Sequence, residues 1–181
     1  MPPELETFFA HAGRKDPQQV ESEYLFLSKH LDKAYFDLFP LPLMVLNSLR
    51  QIVFCNRQFL DSLELDNLSD ILGKRPGEAM TCVYSHKCSG GCGTSMNCRQ
   101  CGAVLAILES IAENKDSVRE CQFLQNKDGE LRALDFGAGN GVSGEYFVDN
   151  FECDAIVGVD IIPEARDAAH RSSPGGAVPA A

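Results

Sequence analysis

Between Cys82 and Cys101 the chain places five of its eight cysteines, Cys82, Cys88, Cys92, Cys98 and Cys101, among Gly90, Gly91 and Gly93. Glycines at this density permit the tight turns that bring short loops round on one another. Thiolates bind soft and borderline metals, and a tetrahedral site needs four donors converging from such loops. Cys98-Arg-Gln-Cys101 supplies one chelating half, and Cys92 with either Cys82 or Cys88 supplies the other; His86 is a substitute donor. The segment holds one CxxC, whereas a zinc ribbon has two. Three readings stand: a bound metal (zinc first, an iron–sulfur cluster second), a thiol redox sensor, or reduced cysteines that pack. Cys55, Cys121 and Cys153 lie in apolar or strand-like surroundings and are expected to be small core residues.

Composition narrows the setting. The 181 residues, 44% hydrophobic and 23% charged, suit one domain or one domain with extensions, and exclude a transporter, a multidomain synthase or a complete sensor kinase. A net charge of -10 opposes the counterion release that drives nucleic-acid binding, so no nucleic-acid partner is expected. No apolar run approaches the roughly 20 residues of a membrane helix, and Met1 to Pro17 has no apolar signal-peptide core. The expected location is cytoplasmic, with no membrane partner. In that reducing compartment crowded cysteines point to metal or redox chemistry more than to structural disulfides.

The expected organisation begins with a loosely held leader, residues 1–16. An amphipathic helix follows over 17–39, carried by Val20, Tyr24, Leu27, Leu31, Ala34, Tyr35 and Leu38, with Asp16 or a neighbour as its cap. Pro40 and Pro42 stop it. Leu43 to Asn47 and Gln51 to Asn56 then read as a hairpin about Ser48-Leu49-Arg50. Helical spacing returns over Arg57 to Leu65, briefly over Asp66 to Gly73, and more strongly over Val104 to Asn114. Ser117 to Gln125 alternates as a strand, and Asn126-Lys127-Asp128-Gly129 turns it into Leu131 to Phe136. Residues 172–181, small and rich in Pro and Gly, read as a disordered tail. The histidines His11, His30, His86 and His170 are scattered, so acid/base or Ser-His-Asp chemistry has no support. The fold class is α+β.

That order, together with Asp37-Leu-Phe-Pro-Leu-Pro-Leu-Met-Val-Leu-Asn47, Arg50-Gln-Ile-Val-Phe-Cys-Asn-Arg-Gln-Phe59, Leu72-Gly-Lys-Arg-Pro-Gly-Glu78 and the Lys127-Asp-Gly129 turn, resembles a PAS sensory domain spanning 40–136. The resemblance implies an antiparallel sheet flanked by helices, a pocket between them, and a non-catalytic input module for signal transduction. Asn56 would tie strand end to helix start through its side chain. Helix 17–39 would be the signalling or homodimer element, with the sheet face as the other candidate dimer surface. The loop 82–102, through Gly91-Cys-Gly-Thr-Ser95 and Cys98-Arg-Gln-Cys-Gly-Ala103, resembles an insert in some PAS domains of bacterial sensor proteins. Its matching positions, Cys82, Cys92, Cys98 and Cys101, are the candidate metal ligands, and Cys88 is extra.

Residues 131–171 carry a second pattern. Leu134-Asp-Phe-Gly-Ala-Gly-Asn-Gly141 is a strand entering a glycine turn, and Val157-Gly-Val-Asp160 is a strand ending in an acid placed to accept hydrogen bonds from ribose. Together they resemble the first two motifs of class I S-adenosylmethionine-dependent methyltransferases. By that resemblance Asp135, Gly137, Gly139 and Gly141 would face the methionine portion and Asp160 the ribose. Only 21 residues follow Asp160, too few for the rest of such a sheet. The same residues can instead finish the PAS sheet, and chain length favours that alternative over a truncated βαβ unit. Strand direction separates the two: completing the PAS sheet requires antiparallel strands, a βαβ unit parallel ones.

Overall fold

In the computed structural model, which describes residues 6–136 and 155–159, the chain divides into two units. One comprises Met1–Met80 with Tyr84–Cys98, the other Thr81–Val83 with Arg99–Ala181. Each unit combines helix with a small sheet, giving an α+β chain. Among the described residues no helix is long and apolar enough to cross a membrane.

In the first unit, Asp16 starts helix α1 (Pro17–His30) by accepting the Gln19 N–H at 2.9 Å, while Gln19 Oε1 accepts the Asp16 N–H. This reciprocal box, with Pro17 in the first turn, satisfies donors that the helix cannot. The single helix expected over 17–39 is in fact two. Leu31 turns extended, and Asp32 caps α2 (Lys33–Asp37) by accepting the Ala34 N–H. A short carboxylate that bonds a nearby N–H competes with helix continuation, a signal that apolar spacing does not report.

Strands β1 (Met44–Leu46) and β2 (Ile52–Cys55) form the expected antiparallel hairpin. Its turn is held by Asn47, whose Oδ1 accepts the N–H groups of Leu49 and Gln51, while Arg50 adopts φ 65°. All four β2 residues are buried. Ile52 and Cys55 join Phe59, Leu60, Ile71 and Ala79 in the core, from α3 (Arg57–Ser62), the loop beyond it and α4 (Pro76–Ala79).

Asn56 closes this arrangement. Its Oδ1 accepts the N–H groups of Leu43 (2.8 Å) and Phe59 (3.0 Å), and its Nδ2 donates to the carbonyls of Leu41 (2.8 Å) and Phe36 (3.3 Å). The amide is fully buried and every one of its donors and acceptors is used. The expected tie between strand end and helix start is present, and it extends back to the α2–β1 connection.

The leader is not loose over its described part. Phe8 and Ala10 donate backbone N–H groups to the carbonyls of Thr94 and Gly93, and Ala10 and Ala12 are buried.

In the second unit, α5 (Gly102–Glu113) ends at Asn114 in the left-handed conformation. Strands β3 (Cys121–Lys127) and β4 (Glu130–Phe136) pair antiparallel about Asp128-Gly129, both at positive φ, as a two-residue hairpin turn of matching twist requires. Thr81–Val83 runs beside β3, with Val83 N–H on the Leu124 carbonyl and Asn126 N–H on the Thr81 carbonyl.

Strand β5 (Ala155–Val159) pairs parallel with β4, Arg132 opposite Ala155 and Leu134 opposite Val157. The antiparallel completion favoured by chain length is therefore not what forms. Nor do the described strands build one sheet: β1–β2 and β3–β4–β5 are hydrogen-bonded separately.

Replacing Asn56 by Ala removes a helix cap and leaves two buried N–H groups and two carbonyls without their partner, so the expected loss is about 2–4 kcal/mol. Urea unfolding followed by circular dichroism measures it; a loss within experimental error would remove Asn56 from its central position.

Candidate functional site

The cysteine-rich loop is built around Arg75, which is fully buried in the first unit. Its Nη1 donates to the carbonyls of Gly90 (2.9 Å) and Cys92 (3.2 Å), its Nη2 to those of Gly13 (2.7 Å), Ala12 (3.2 Å) and His11 (3.3 Å), and its Nε to that of Leu49 (3.2 Å). One planar cation thereby gathers the leader, the hairpin turn and the cysteine-rich loop. Burial, with Arg50 and Arg14 nearby, lowers its pKa to about 10, which still leaves it charged at neutral pH.

Glu78 is the counterpart. It accepts the N–H groups of Cys92 (2.9 Å) and Arg75 (3.0 Å) and takes both Arg14 nitrogens, Nη1 at 3.1 Å. Burial would raise its pKa, but the hydrogen bonds from Arg14, Arg75 and Cys92 outweigh it and hold the carboxyl below its ordinary value. Gly91, at φ 83°, passes so close that a Cβ there would meet the Glu78 carboxylate and the Arg14 guanidinium. Neither Arg75 nor Glu78 is marked by any sequence spacing.

The four candidate metal ligands are divided between the units, Cys92 and Cys98 in the first, Cys82 and Cys101 in the second. The boundary falls inside the CxxC. Cys98 is buried with its sulfur 3.2 Å from the Ser95 hydroxyl. Cys82 lies opposite Gln125 at the edge of β3. Among the described residues no group of three or more His, Cys, Asp or Glu side chains stands placed to hold a metal ion.

Cys101 instead meets Cys121, with 4.0 Å between sulfurs. The hydrogen bond from Cys121 lowers the Cys101 pKa to about 6 against the opposing effect of burial, helped by the N–H groups of Val104 and Ala103 at the start of α5. The Cys121 thiol is pushed up by the same contact and by burial. Cys121 was expected only to pack; its distance from Cys101 in sequence matches no motif, so tertiary placement alone brings the two together. Cys55 is the core residue expected, with burial raising its pKa to about 11.

A cleft of about 690 Å³ lies in the first unit under α1 and α2, with Phe54, Cys55 and Leu60 among its walls. Lys29, His30, Lys33 and Arg57 line it against Asp32 and Asp66. Helix α1 exposes Leu25 and Phe26, α2 exposes Tyr35, and Leu38 at the end of α2 is exposed as well.

Of the residues assigned to S-adenosylmethionine, Asp135 lies on β4 opposite Gly158. Gly137, Gly139, Gly141 and Asp160 lie outside the described residues, as does Cys153. No protein-family model, curated protein or solved structure matches the chain.

Because the folded Glu78 carboxyl titrates below its ordinary value of 4.5, its contribution to stability is complete above that pH and is lost as pH falls through the folded value. Glu78→Gln is expected to lower stability at neutral pH and to flatten the acid limb of a plot of unfolding free energy against pH. An unchanged acid limb would contradict the role given to Glu78.

Proposed function

We propose that the chain is a non-catalytic sensory and interaction module of PAS type, acting in the cytoplasm as a homodimer. The observation that carries this reading is the cleft under α1 and α2 together with the apolar side chains that those two helices and Leu38 expose. A volume of about 690 Å³ lies within the range of small-molecule sites. Its lining mixes charges of both signs, with Lys33 and Arg57 paired to Asp37 and Asp61, and favours a polar ligand. Such a ligand would brace α1 and α2 against the hairpin, and a second copy seated on Phe26 and Leu38 would read that change. Phe26 is 62% exposed and Leu38 76%, large apolar areas whose burial favours association. The Asn56 network supports the PAS resemblance in this unit.

Sedimentation equilibrium tests the dimer. Phe26→Asp with Leu38→Asp is expected to raise the dissociation constant by about tenfold or more. A monomer at every concentration, or a dimer indifferent to both changes, would contradict the reading.

A second reading, a truncated S-adenosylmethionine-binding fragment of a methyltransferase, is favoured by one observation: β4 and β5 run parallel, as a βαβ unit requires. Calorimetry with S-adenosylmethionine decides it. The reading expects binding that weakens in Asp160→Ala; no binding at millimolar ligand, or binding unchanged by the substitution, eliminates it.

A further inference from the structure

The second unit contains a pair of thiols that neither the ligand cleft nor the nucleotide reading uses. Cys101 stands at the cap position of α5, a twelve-residue helix, and Cys121 is the first residue of β3. Their sulfurs are 4.0 Å apart, in van der Waals contact, and closing a disulfide of about 2.05 Å brings them about 2 Å nearer. Gly102 explains how the two come so close. A Cβ at this position would run into the backbone carbonyl of Glu120, so the residue after one cysteine and the residue before the other touch main chain to main chain. Any other residue at 102 would push the α5 start away from β3.

The two sulfurs differ as a redox pair needs. Cys101 is partly exposed at the start of α5, where peroxide can reach it, whereas Cys121 is buried beside it. Other cysteines have different surroundings: Cys98 meets the Ser95 hydroxyl, and Cys55 sits in the first unit's core.

We propose that Cys101 and Cys121 form a peroxide-responsive dithiol, with Cys101 the attacking thiolate and Cys121 the resolving thiol. The Cys101 sulfur attacks one oxygen of hydrogen peroxide; the O–O bond breaks, a sulfenic acid forms, and the departing hydroxide is protonated to water. The Cys121 sulfur then attacks the sulfenic sulfur; the S–S bond forms, the S–O bond breaks, and the Cys121 proton leaves with that hydroxide as a second water. Two thiols are oxidised to one disulfide and one peroxide is reduced to two waters. The product links the start of α5 to the start of β3 and fixes two elements that are otherwise joined by the loop from Asn114 to Glu120. This inference does not depend on the ligand cleft, and it reassigns Cys101 from its CxxC neighbour to a partner on a strand.

The test treats the full chain with stoichiometric hydrogen peroxide, blocks remaining thiols with iodoacetamide and maps the peptides by mass spectrometry. A Cys101–Cys121 crosslink is expected, retained in Cys98→Ser. In Cys121→Ser, with circular dichroism confirming the fold, the crosslink is lost and dimedone labels a sulfenic acid at Cys101. Crosslinking of Cys101 to Cys98, or Cys101 and Cys121 both remaining alkylated while other cysteines oxidise, would overturn the proposal.

Discussion

A guanidinium removed from water costs several kcal/mol unless its N–H groups are answered, and in this chain the answer is backbone carbonyl oxygen. Arg75 reaches six carbonyls drawn from three segments far apart in sequence: His11 to Gly13, Leu49, and Gly90 with Cys92. None of these segments has a helix or strand of its own at those residues, so their carbonyls depend on side-chain donors, Arg75 foremost, with Arg50 also reaching His11 and Arg14 reaching Gly90. The exchange is mutual: the loops satisfy the cation, and the cation supplies the donors that a sheet or helix would have supplied. Glu78 serves the same junction from the opposite sign, taking Arg14 and the N–H groups of Arg75 and Cys92. The glycine at position 91, where there is no room for a Cβ, is a consequence of that packing.

This junction fixes the first part of the cysteine-rich loop. Cys92 is positioned through its backbone, its N–H on Glu78 and its carbonyl on Arg75. Cys98 ends the first unit, and Cys101 begins the elements of the second. The CxxC, read as one chelating half, straddles a structural boundary. Cys101 finds its sulfur neighbour on β3, and the stabilisation of its thiolate comes from that neighbour and from the helix start.

Much of the local structure was legible. Asn47, the cap that Asn56 makes on Phe59 and the Asp128-Gly129 turn are local, and side chains of that kind announce themselves in sequence. The hairpin of β1 and β2 and the helix α5 follow from apolar patterning. What was not legible is non-local. An Arg in a polar stretch reads as a solvated surface charge, and nothing around Arg75 signals that it is buried. The break between α1 and α2 depends on one carboxylate, Asp32, overriding an apolar period that continues past it. The contact of Cys101 with Cys121 follows from how α5 lies against β3, through a glycine whose neighbour, Glu120, is distant in sequence. For the C-terminal strands, chain length favoured the antiparallel alternative, while the pairing that forms is parallel.

The claim that one buried guanidinium organises the leader and the cysteine-rich loop is tested most directly by amide hydrogen exchange in Arg75→Met. The Phe8 and Ala10 amides, which donate to Thr94 and Gly93, and the Thr94 amide, which donates to Gly91, should lose protection together, while those of Asn56 and Phe59 keep theirs. Protection unchanged at Phe8, Ala10 and Thr94 would contradict the account.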